Sequence, residues 1–332
     1  MRLILPLFLL SSLLPAQYRL YTCMVTSKGY VVGARLPASG IFVKPTSGAW
    51  EHVGYNHPDI AALDYDPRDP STLYLAAGNG LIRATNFGRD WKIMTGNDVT
   101  ELRDLAVDRN APGTIYFAHT LGIQVTHDGG ATWKDAGIGL FPPPHLTEPG
   151  CGVSLALREG ATAPCGMGRR YTESIRVDRR HAGRLVAGTE DGLFSSADGG
   201  LSWRRAGAAG FQVMHIEQSP HDACFWLAVT QQGGAFVSTD CAQTFESLGH
   251  VGAGRNLYDI AFDPTTAGRI ALAAWGPGVL VSGDKGKTWQ RRNRGLPATA
   301  IWSVAFDPAH PGRLYASVHE EALYVSDDAG LH

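Results

Sequence analysis

Residues 196–203, Ser-Ala-Asp-Gly-Gly-Leu-Ser-Trp, follow a short apolar stretch and carry a pattern typical of one kind of turn. Each residue type has a role in a tight turn. The aspartate can accept backbone N–H bonds, the glycine tolerates positive φ, the hydroxyl adds a local bond, and the tryptophan can pack between sheets. The segment therefore predicts a turn between two β-strands and gives Asp198 a structural role. We call this pattern the Asp-box turn.

Further copies of the Asp-box turn run along most of the chain. Clear copies lie at 126–133, 238–245 and 282–289, and residues 84–91 form a weaker copy with asparagine in the aspartate position. Residues 326–332 form a copy that ends with the sequence, and residues 43–50 form a degenerate first copy without the aspartate. The predicted structural residues of these turns are Asn86, Asp128, Asp198, Asp240, Asp284 and Asp328.

The copies repeat about every 40 to 50 residues, apart from one step lengthened by an insertion at about residues 137–170. Asp-Pro turns such as Asp263-Pro264 share the period, so each unit contains four strands. We predict an all-β fold, a seven-bladed β-propeller of four-stranded blades that forms one domain. The seventh unit ends at His332 before its fourth strand. Residues 18–24 could fill that gap or form the first strand of blade one, but not both.

Charge and motif content limit the classes of ligand that we expect. The formal net charge is −2 and the sequence has no dense block of Lys and Arg, so a nucleic-acid partner is not expected. His119 and His319 have no spacing to other ligand types that indicates a metal site, and no motif indicates a cofactor.

The N-terminal residues 1–17 carry one positive charge, an apolar run, and Pro15-Ala16-Gln17 before a polar segment. This pattern is typical of a secretory signal peptide. A membrane anchor is the alternative, but the apolar run is too short to span a bilayer, so no stable membrane insertion is expected. We predict a mature domain of residues 18–332 that is secreted or periplasmic.

Five cysteines in an exported chain favour two disulfides and one remaining thiol. Cys224 and Cys241 bracket a predicted hairpin, and Cys151 and Cys165 bracket a short loop inside the insertion. Cys23 is left over. If the chain is not exported, all five cysteines are expected to be reduced and buried.

In a propeller with each first strand nearest the axis, the entries to the first strands and the turns after the second strands share one face. The Asp-box turns lie on the opposite face. Loops on a rigid scaffold commonly carry function, although solvated turns and channel lining are the alternative interpretation for any one residue. The candidate binding residues on this face are His119, Tyr171, Glu173, His215, Tyr258, Asp259, Trp275, Trp302 and His319.

The insertion joins the fourth strand of blade three to the first strand of blade four and is expected on that same face. Its Pro-rich sequence predicts a lid or a partner-docking arm, with a surface excursion as the alternative. The contact candidates in it are Phe141, His145, Arg158, Arg169 and Arg170.

The repeated turns resemble those of the Asp-box, or BNR-repeat, propellers, which include sialidases, xyloglucanases, sortilin-type receptor domains and the photosystem II stability and assembly factor. The resemblance covers nearly the whole mature chain and implies the fold. Members of the group differ in activity while sharing the turns. The compact size and the Asp-Pro turns look most like the assembly-factor branch, which implies a binding scaffold.

The enzymatic members of that group imply features that this sequence matches poorly. Arg35-Leu36-Pro37 is the only echo of the sialidase Arg-Ile-Pro segment, and xyloglucanases resemble a pair of propellers with a cleft between them, where this chain has one. We therefore predict a non-enzymatic scaffold that binds a protein or peptide, with a glycan as the further ligand class. The alternative is a glycoside hydrolase, for which the candidate acids are Glu190, Asp191 and Glu320.

Overall fold

The computed structural model describes residues 7–10, 19–24, 38–45, 49–137, 140, 171–249, 251–252 and 254–332. In this part of the chain the strands form seven antiparallel sheets, each made from consecutive strands. Six sheets have four strands and the last has three, and these sheets are the blades of a propeller.

The first four blades contain sixteen strands. Blade one is β1 (Leu7–Leu10), β2 (Arg19–Met24), β3 (Gly40–Lys44) and β4 (Glu51–Val53); blade two is β5 (Ile60–Asp66), β6 (Asp69–Ala77), β7 (Gly80–Thr85) and β8 (Asp90–Ile93); blade three is β9 (Asp104–Val107), β10 (Ile115–His119), β11 (Gly122–Thr126) and β12 (Lys134–Asp135); blade four is β13 (Thr172–Val177), β14 (Leu185–Thr189), β15 (Gly192–Ser196) and β16 (Arg204–Gly207).

The remaining three blades contain eleven strands. Blade five is β17 (Val213–Gln218), β18 (Trp226–Thr230), β19 (Ala235–Ser238) and β20 (Glu246–Ser247); blade six is β21 (Leu257–Phe262), β22 (Ile270–Ala274), β23 (Gly278–Ser282) and β24 (Gln290–Arg291); blade seven is β25 (Ile301–Phe306), β26 (Leu314–Val318) and β27 (Leu323–Ser326).

The first strands of the blades form the inner ring. Each of β5, β9, β13, β17 and β21 contacts the first strand of the next blade, and β1 contacts both β5 and β25. The segment 18–24 was expected to be either the first strand of blade one or the missing strand of blade seven, and both expectations are wrong. It contains β2, which pairs between β1 and β3. β1 lies within the predicted signal peptide. The strand pairing does not test whether residues 1–17 are a signal peptide.

The core lies between blades, because each sheet buries both of its faces against its neighbours. Central strands such as β14, β18 and β22 are fully buried along their length, which accounts for their continuous apolar sequences. One cluster joins Val281 of blade six to Val304, Phe306 and Leu314 of blade seven. Within the described ranges, no helix has the length and apolar character needed to cross a membrane.

The Asp-box turns have the predicted bonds. In blade four, Asp198 accepts from the backbone N of Ser202 at 2.9 Å and from its hydroxyl at 2.5 Å, while Ser196 Oγ accepts from the backbone N of Gly200 at 2.9 Å. Hydrogen bonds from Ser202 and Ser196 lower the pKa of Asp198 to about 2. Trp203 donates its indole N–H to the carbonyl of Ala136 in blade three, at 2.8 Å. The same carboxylate bonds recur at Asp128, Asp240, Asp284 and Asp328.

Two copies of the turn depart from the pattern. Asn86 adopts a φ of 52°, but within the described residues its side chain makes no equivalent hydrogen bond. In blade five the glycine positions are Cys241 and Ala242, both with a φ of 61°. Cys241 forms the predicted disulfide with Cys224 across the hairpin of β18 and β19.

The predictions for the other three cysteines have different outcomes. Cys23 is buried and has no disulfide partner among the described residues, and burial raises the pKa of its thiol. Cys151 and Cys165 lie outside the described residues, so their pairing stays a prediction.

Because the strands are antiparallel, the connections alternate between the two ends of each blade. The turns between first and second strands and the Asp-box turns lie at one end, which we call the Asp-box face. The entries to the first strands and the turns between second and third strands lie at the other, which we call the entry face.

Candidate binding site at the mouth of the central channel

The inner strands surround a central channel with a volume of about 630 Å3. Its lining runs from residues of the entry face, such as Glu173 and Trp302, to proline turns of the Asp-box face, such as Pro264 and Pro308. The channel therefore passes along the axis of the ring, and its two ends differ in chemistry.

Three channel aspartates join neighbouring blades. Asp104 Oδ2 accepts from the backbone N of Ile175 at 2.9 Å, and Asp259 Oδ2 accepts from the backbone N of Val304 at 3.0 Å. Asp64 bonds the backbone N of Val107 in the same way, at 2.9 Å. In each pair a carboxylate of one inner strand holds an amide of the next, which is a structural role.

Arg176 occupies the middle of the channel wall. Its guanidinium donates to Asp104 Oδ2 at 2.5 Å and to Glu217 Oε2 at 3.3 Å. Burial disfavours the charge, but the two carboxylates outweigh burial and raise the pKa of Arg176. Burial also works against the charge of Glu217, whose pKa is nevertheless held well below its usual range by His215 and the neighbouring arginines.

His215 is partly buried within the same network. Its Nδ1 lies 2.6 Å from Asp259 Oδ1, and its Nε2 lies 3.7 Å from Glu217 Oε2 and 2.7 Å from Arg176 Nη2. Burial and Arg176 oppose protonation of the ring, but the Asp259 carboxylate outweighs both and raises the pKa of His215 to about 9. His215 and Asp259, two of the candidate binding residues, are therefore engaged with each other.

One part of the channel mouth is formed by blades three to five. The guanidinium carbon of Arg103 lies 5.1 Å from the ring centroid of Tyr171, and its Nε lies 3.9 Å from Glu173 Oε2. Gln212 donates to the other oxygen of Glu173 at 2.9 Å. Burial raises the pKa of Glu173 although Arg103 and Gln212 act to lower it.

Blades six and seven contribute a cluster of aromatic rings to the mouth. The ring centroid of Trp302 lies 4.2 Å from that of Tyr258 and 6.1 Å from that of Trp275, and Trp275 lies 4.9 Å from His319. Trp275 is 40% exposed. We call these four residues the aromatic platform. All four were predicted from their positions to share the entry face, and the structure brings them into contact.

A hydrogen bond orders the aromatic platform. Trp302 donates its indole N–H to His319 Nδ1 at 2.6 Å. Because Nδ1 accepts, the ring proton of His319 lies on Nε2, which is 3.6 Å from Glu320 Oε1. Glu320 has a φ of 59°.

The remaining predicted residues are dispersed. His119 is buried against Phe117, with ring centroids 5.7 Å apart, and burial lowers its pKa. Asp191 binds Arg205 at 2.6 Å, and Glu190 stands beside it in the turn after β14, whereas Glu320 belongs to the turn after β26. Within the described residues none of these three acids lines the channel. The lid candidates Phe141, His145, Arg158, Arg169 and Arg170 lie outside the described residues.

Two features of the channel were not predicted from the sequence: the central ion-pair network around Arg176 and Glu217, and the stacked pair of Arg103 and Tyr171. A signal was present, because Arg176 interrupts the apolar pair Ile175 and Val177 in an inner strand. Charged residues at such positions face the axis of the ring.

Known proteins resemble the chain mainly in fold. No family model matches it. A curated xyloglucanase of Paenibacillus sp is 24% identical over 305 residues, which cover 74% of this chain and 28% of that protein. The GH74 enzyme of Niastella koreensis superposes with a TM-score of 0.68 at 16% identity, covering 93% of this chain and 50% of the enzyme.

Two further solved structures have the same architecture. The GH74 xyloglucanase of Xanthomonas campestris gives a TM-score of 0.65 at 17% identity and covers 94% of this chain and 50% of the enzyme. YCF48 bound to D1 peptide gives a TM-score of 0.58 at 13% identity and covers 98% of this chain and 93% of that chain. The chain is a seven-bladed β-propeller that spans about a quarter of the curated relative and half of the GH74 structures.

Proposed function

We propose that this chain is an exported Asp-box propeller that binds a protein or peptide ligand at the aromatic platform, without catalysis. Export is supported by the disulfide of Cys224 and Cys241, because disulfides persist in oxidising compartments, and by the signal-like sequence of residues 1–17. Removal of that segment would also remove β1 and leave blade one with β2, β3 and β4. Membership of the Asp-box propellers is supported by the repeated carboxylate bonds of the turns.

The observation that carries the binding proposal is the exposed aromatic platform at the channel mouth. Aromatic residues are enriched where proteins bind ligands, because they offer large contact areas and lose little side-chain entropy. Three acids of the channel wall favour binding over catalysis, because each is engaged in structural bonds. Asp104 and Asp259 hold backbone amides of the next blade, and Glu217 is paired with arginines. YCF48, a propeller of similar size, was solved with a bound peptide.

A peptide array probed with the full chain tests this proposal. Trp275→Ala is expected to weaken the binding of these peptides about tenfold and so to reduce their signal. The matched control is Leu121→Ala, which removes an 81% exposed apolar residue from the same face but from blade three. Equal peptide binding by Trp275→Ala and the unchanged chain would rule out the aromatic platform as the site.

A glycoside hydrolase is the second candidate, and one observation favours it. Glu173 at the channel mouth has a raised pKa, as a general acid requires, and the curated relative is a xyloglucanase. The test is the release of reducing sugar from xyloglucan, with Glu173→Gln and Glu320→Gln as variants. Release by the unchanged chain that is lost in either variant would replace the binding proposal. No release would remove the xyloglucanase-like candidate.

A further inference from the structure

We propose that the aromatic platform and Glu320 form a subsite for a cationic side chain, a guanidinium or an ammonium, of the peptide ligand; this rests on the proposed function and specifies its ligand. Three observations carry it: the ring faces that the platform presents, the loss of a polar edge at Trp302, and an acid held beside the platform.

The ring faces come first. Trp275 is 40% exposed and lies at an interplanar angle of 75° to Trp302 and 55° to His319. Rings tilted in this way turn their π-faces in different directions. The face of an indole is the negative part of its quadrupole and attracts a cation more strongly than the face of a tyrosine or phenylalanine.

Trp302 lacks a free polar edge. Its indole N–H already donates to His319 Nδ1 at 2.6 Å, so it cannot donate to a ligand hydroxyl or carbonyl. The bond also fixes the orientation of both rings. A neutral polar ligand therefore finds fewer donors at Trp302 than an isolated tryptophan would offer, whereas the attraction of the platform for a cation is unaffected.

The acid is Glu320, which is 55% exposed in the turn after β26. Its φ of 59° lies in the left-handed region that favours glycine. The equivalent turn of blade six has Gly276 at this position, with a φ of 95°. Blade five has Gln232 at the same position, with a φ of 64°, so the left-handed conformation belongs to the turn. Glu320 Oε1 lies 3.6 Å from His319 Nε2, beside the platform.

A cation between Trp275 and Glu320 would have a π-face on one side and a carboxylate on the other. Guanidinium groups stack on aromatic rings and bind carboxylates through planar N–H donors. The second acid of the turn, Glu321, is also exposed and adds to the negative potential. The charge of the ligand, rather than its apolar surface, is therefore expected to decide affinity.

The experiment compares two small probes that differ in charge and little in shape. N-acetyl-arginine methylamide and its citrulline analogue are titrated into the full chain, and tryptophan fluorescence is followed. We expect the arginine probe to bind at least about fivefold tighter than the citrulline probe. In Glu320→Gln we expect the two probes to bind with equal affinity. Asp327→Asn is the matched control, because it removes a 75% exposed acid of blade seven from the opposite face.

The outcomes separate this inference from the proposed function. Equal binding of the two probes, lost in Trp275→Ala, would overturn the cationic subsite while leaving the aromatic platform as a site. A preference for arginine that persists in Glu320→Gln would overturn the role of the acid. Absence of any response to either probe, with peptide binding on the array intact, would overturn the subsite alone.

Discussion

The two faces of the propeller are built under different constraints. On the Asp-box face the side chains make the turn, so Asp128, Asp198 and Asp284 each bond a hydroxyl residue four positions later. On the entry face the backbone makes the turn. There, in five blades, an amide after the second strand donates to the carbonyl that precedes the first strand of the same blade, and the donors are Gly78, Glu190, Gln231, Trp275 and His319.

The difference explains why the entry face can specialise. A backbone bond does not depend on the side chain that accompanies it, so glycine, glutamate, glutamine, tryptophan and histidine all serve in the same place. An Asp-box turn loses its own bonds when its aspartate or serine changes. Mutations on the Asp-box face should therefore change stability and leave binding intact, and mutations of the aromatic platform should do the reverse.

The largest expected effect concerns His215, which the sequence assigned to the entry face. Its pKa in the folded protein, about 9, is above the unfolded value of about 6.5, so its contribution is fully present below pH 6.5 and is lost as pH rises through 9. We expect urea denaturation to show a decrease in the unfolding free energy of the order of 3 kcal/mol between pH 6 and pH 10. The same slope in His215→Gln would contradict the role of this residue.

The disulfide comes next. Reduction of Cys224–Cys241, whose cysteines are 17 residues apart, is expected to lower the unfolding free energy by about 3 kcal/mol, because the unfolded chain gains freedom. Peptide binding at the aromatic platform should be unchanged at temperatures where the protein stays folded. Denaturation with and without reductant measures the unfolding free energy, and the peptide array measures binding. Loss of binding in the folded, reduced protein would break the separation of the two faces.

Ser196→Ala tests a single Asp-box turn. The buried hydroxyl accepts from the backbone N of Gly200, and its removal leaves that amide unsatisfied, at about 1 to 3 kcal/mol. Ser202→Ala is a milder counterpart because its hydroxyl is exposed to water. Chemical denaturation should rank the two variants in that order. A neutral Ser196→Ala would show that the turn does not depend on its side chains.

Trp275→Ala is the reverse case. We expect about a tenfold loss of ligand affinity, equivalent to about 1.4 kcal/mol, with the melting temperature unchanged because the side chain is 40% exposed and its backbone bond is kept. Titration of an array-selected peptide measures the affinity, and a thermal scan measures the folding. A lower melting temperature with unchanged affinity would reverse the assignment of the two faces.

The smallest expected effect is the cost of the left-handed backbone at position 241, measured in the absence of the disulfide. In a Cys224→Ser background, Cys241→Gly is expected to be more stable than Cys241→Ser by about 0.5 to 1 kcal/mol, because position 241 has a φ of 61° that glycine adopts without strain. Chemical denaturation of the two double variants compares them directly. Equal stability would mean that the left-handed conformation costs little in this turn.

The fold was predictable because the Asp-box turn carries its own bonding partners. Ser196, Asp198 and Ser202 meet within seven residues, and no distant contact is needed. The aromatic platform was predictable only as a set of positions on one face, because the contact of Trp275 with Trp302 joins two blades. Arg176 pairs with Glu217, and His215 pairs with Asp259, and each pair also joins separate blades. The alternation of polar and apolar residues along one strand does not predict which residues of another blade they contact.

The aspartates that join the inner strands also determine what the channel can accept. In a ring of sheets every inner strand is an edge, and an unpaired edge can add a foreign strand. Asp64, Asp104 and Asp259 occupy amides of the following blades and so cap those edges. At these positions an entering polypeptide meets side chains instead of a free ladder. In the proposed binding mode, a peptide is therefore expected to lie across the mouth and to be recognised through its side chains.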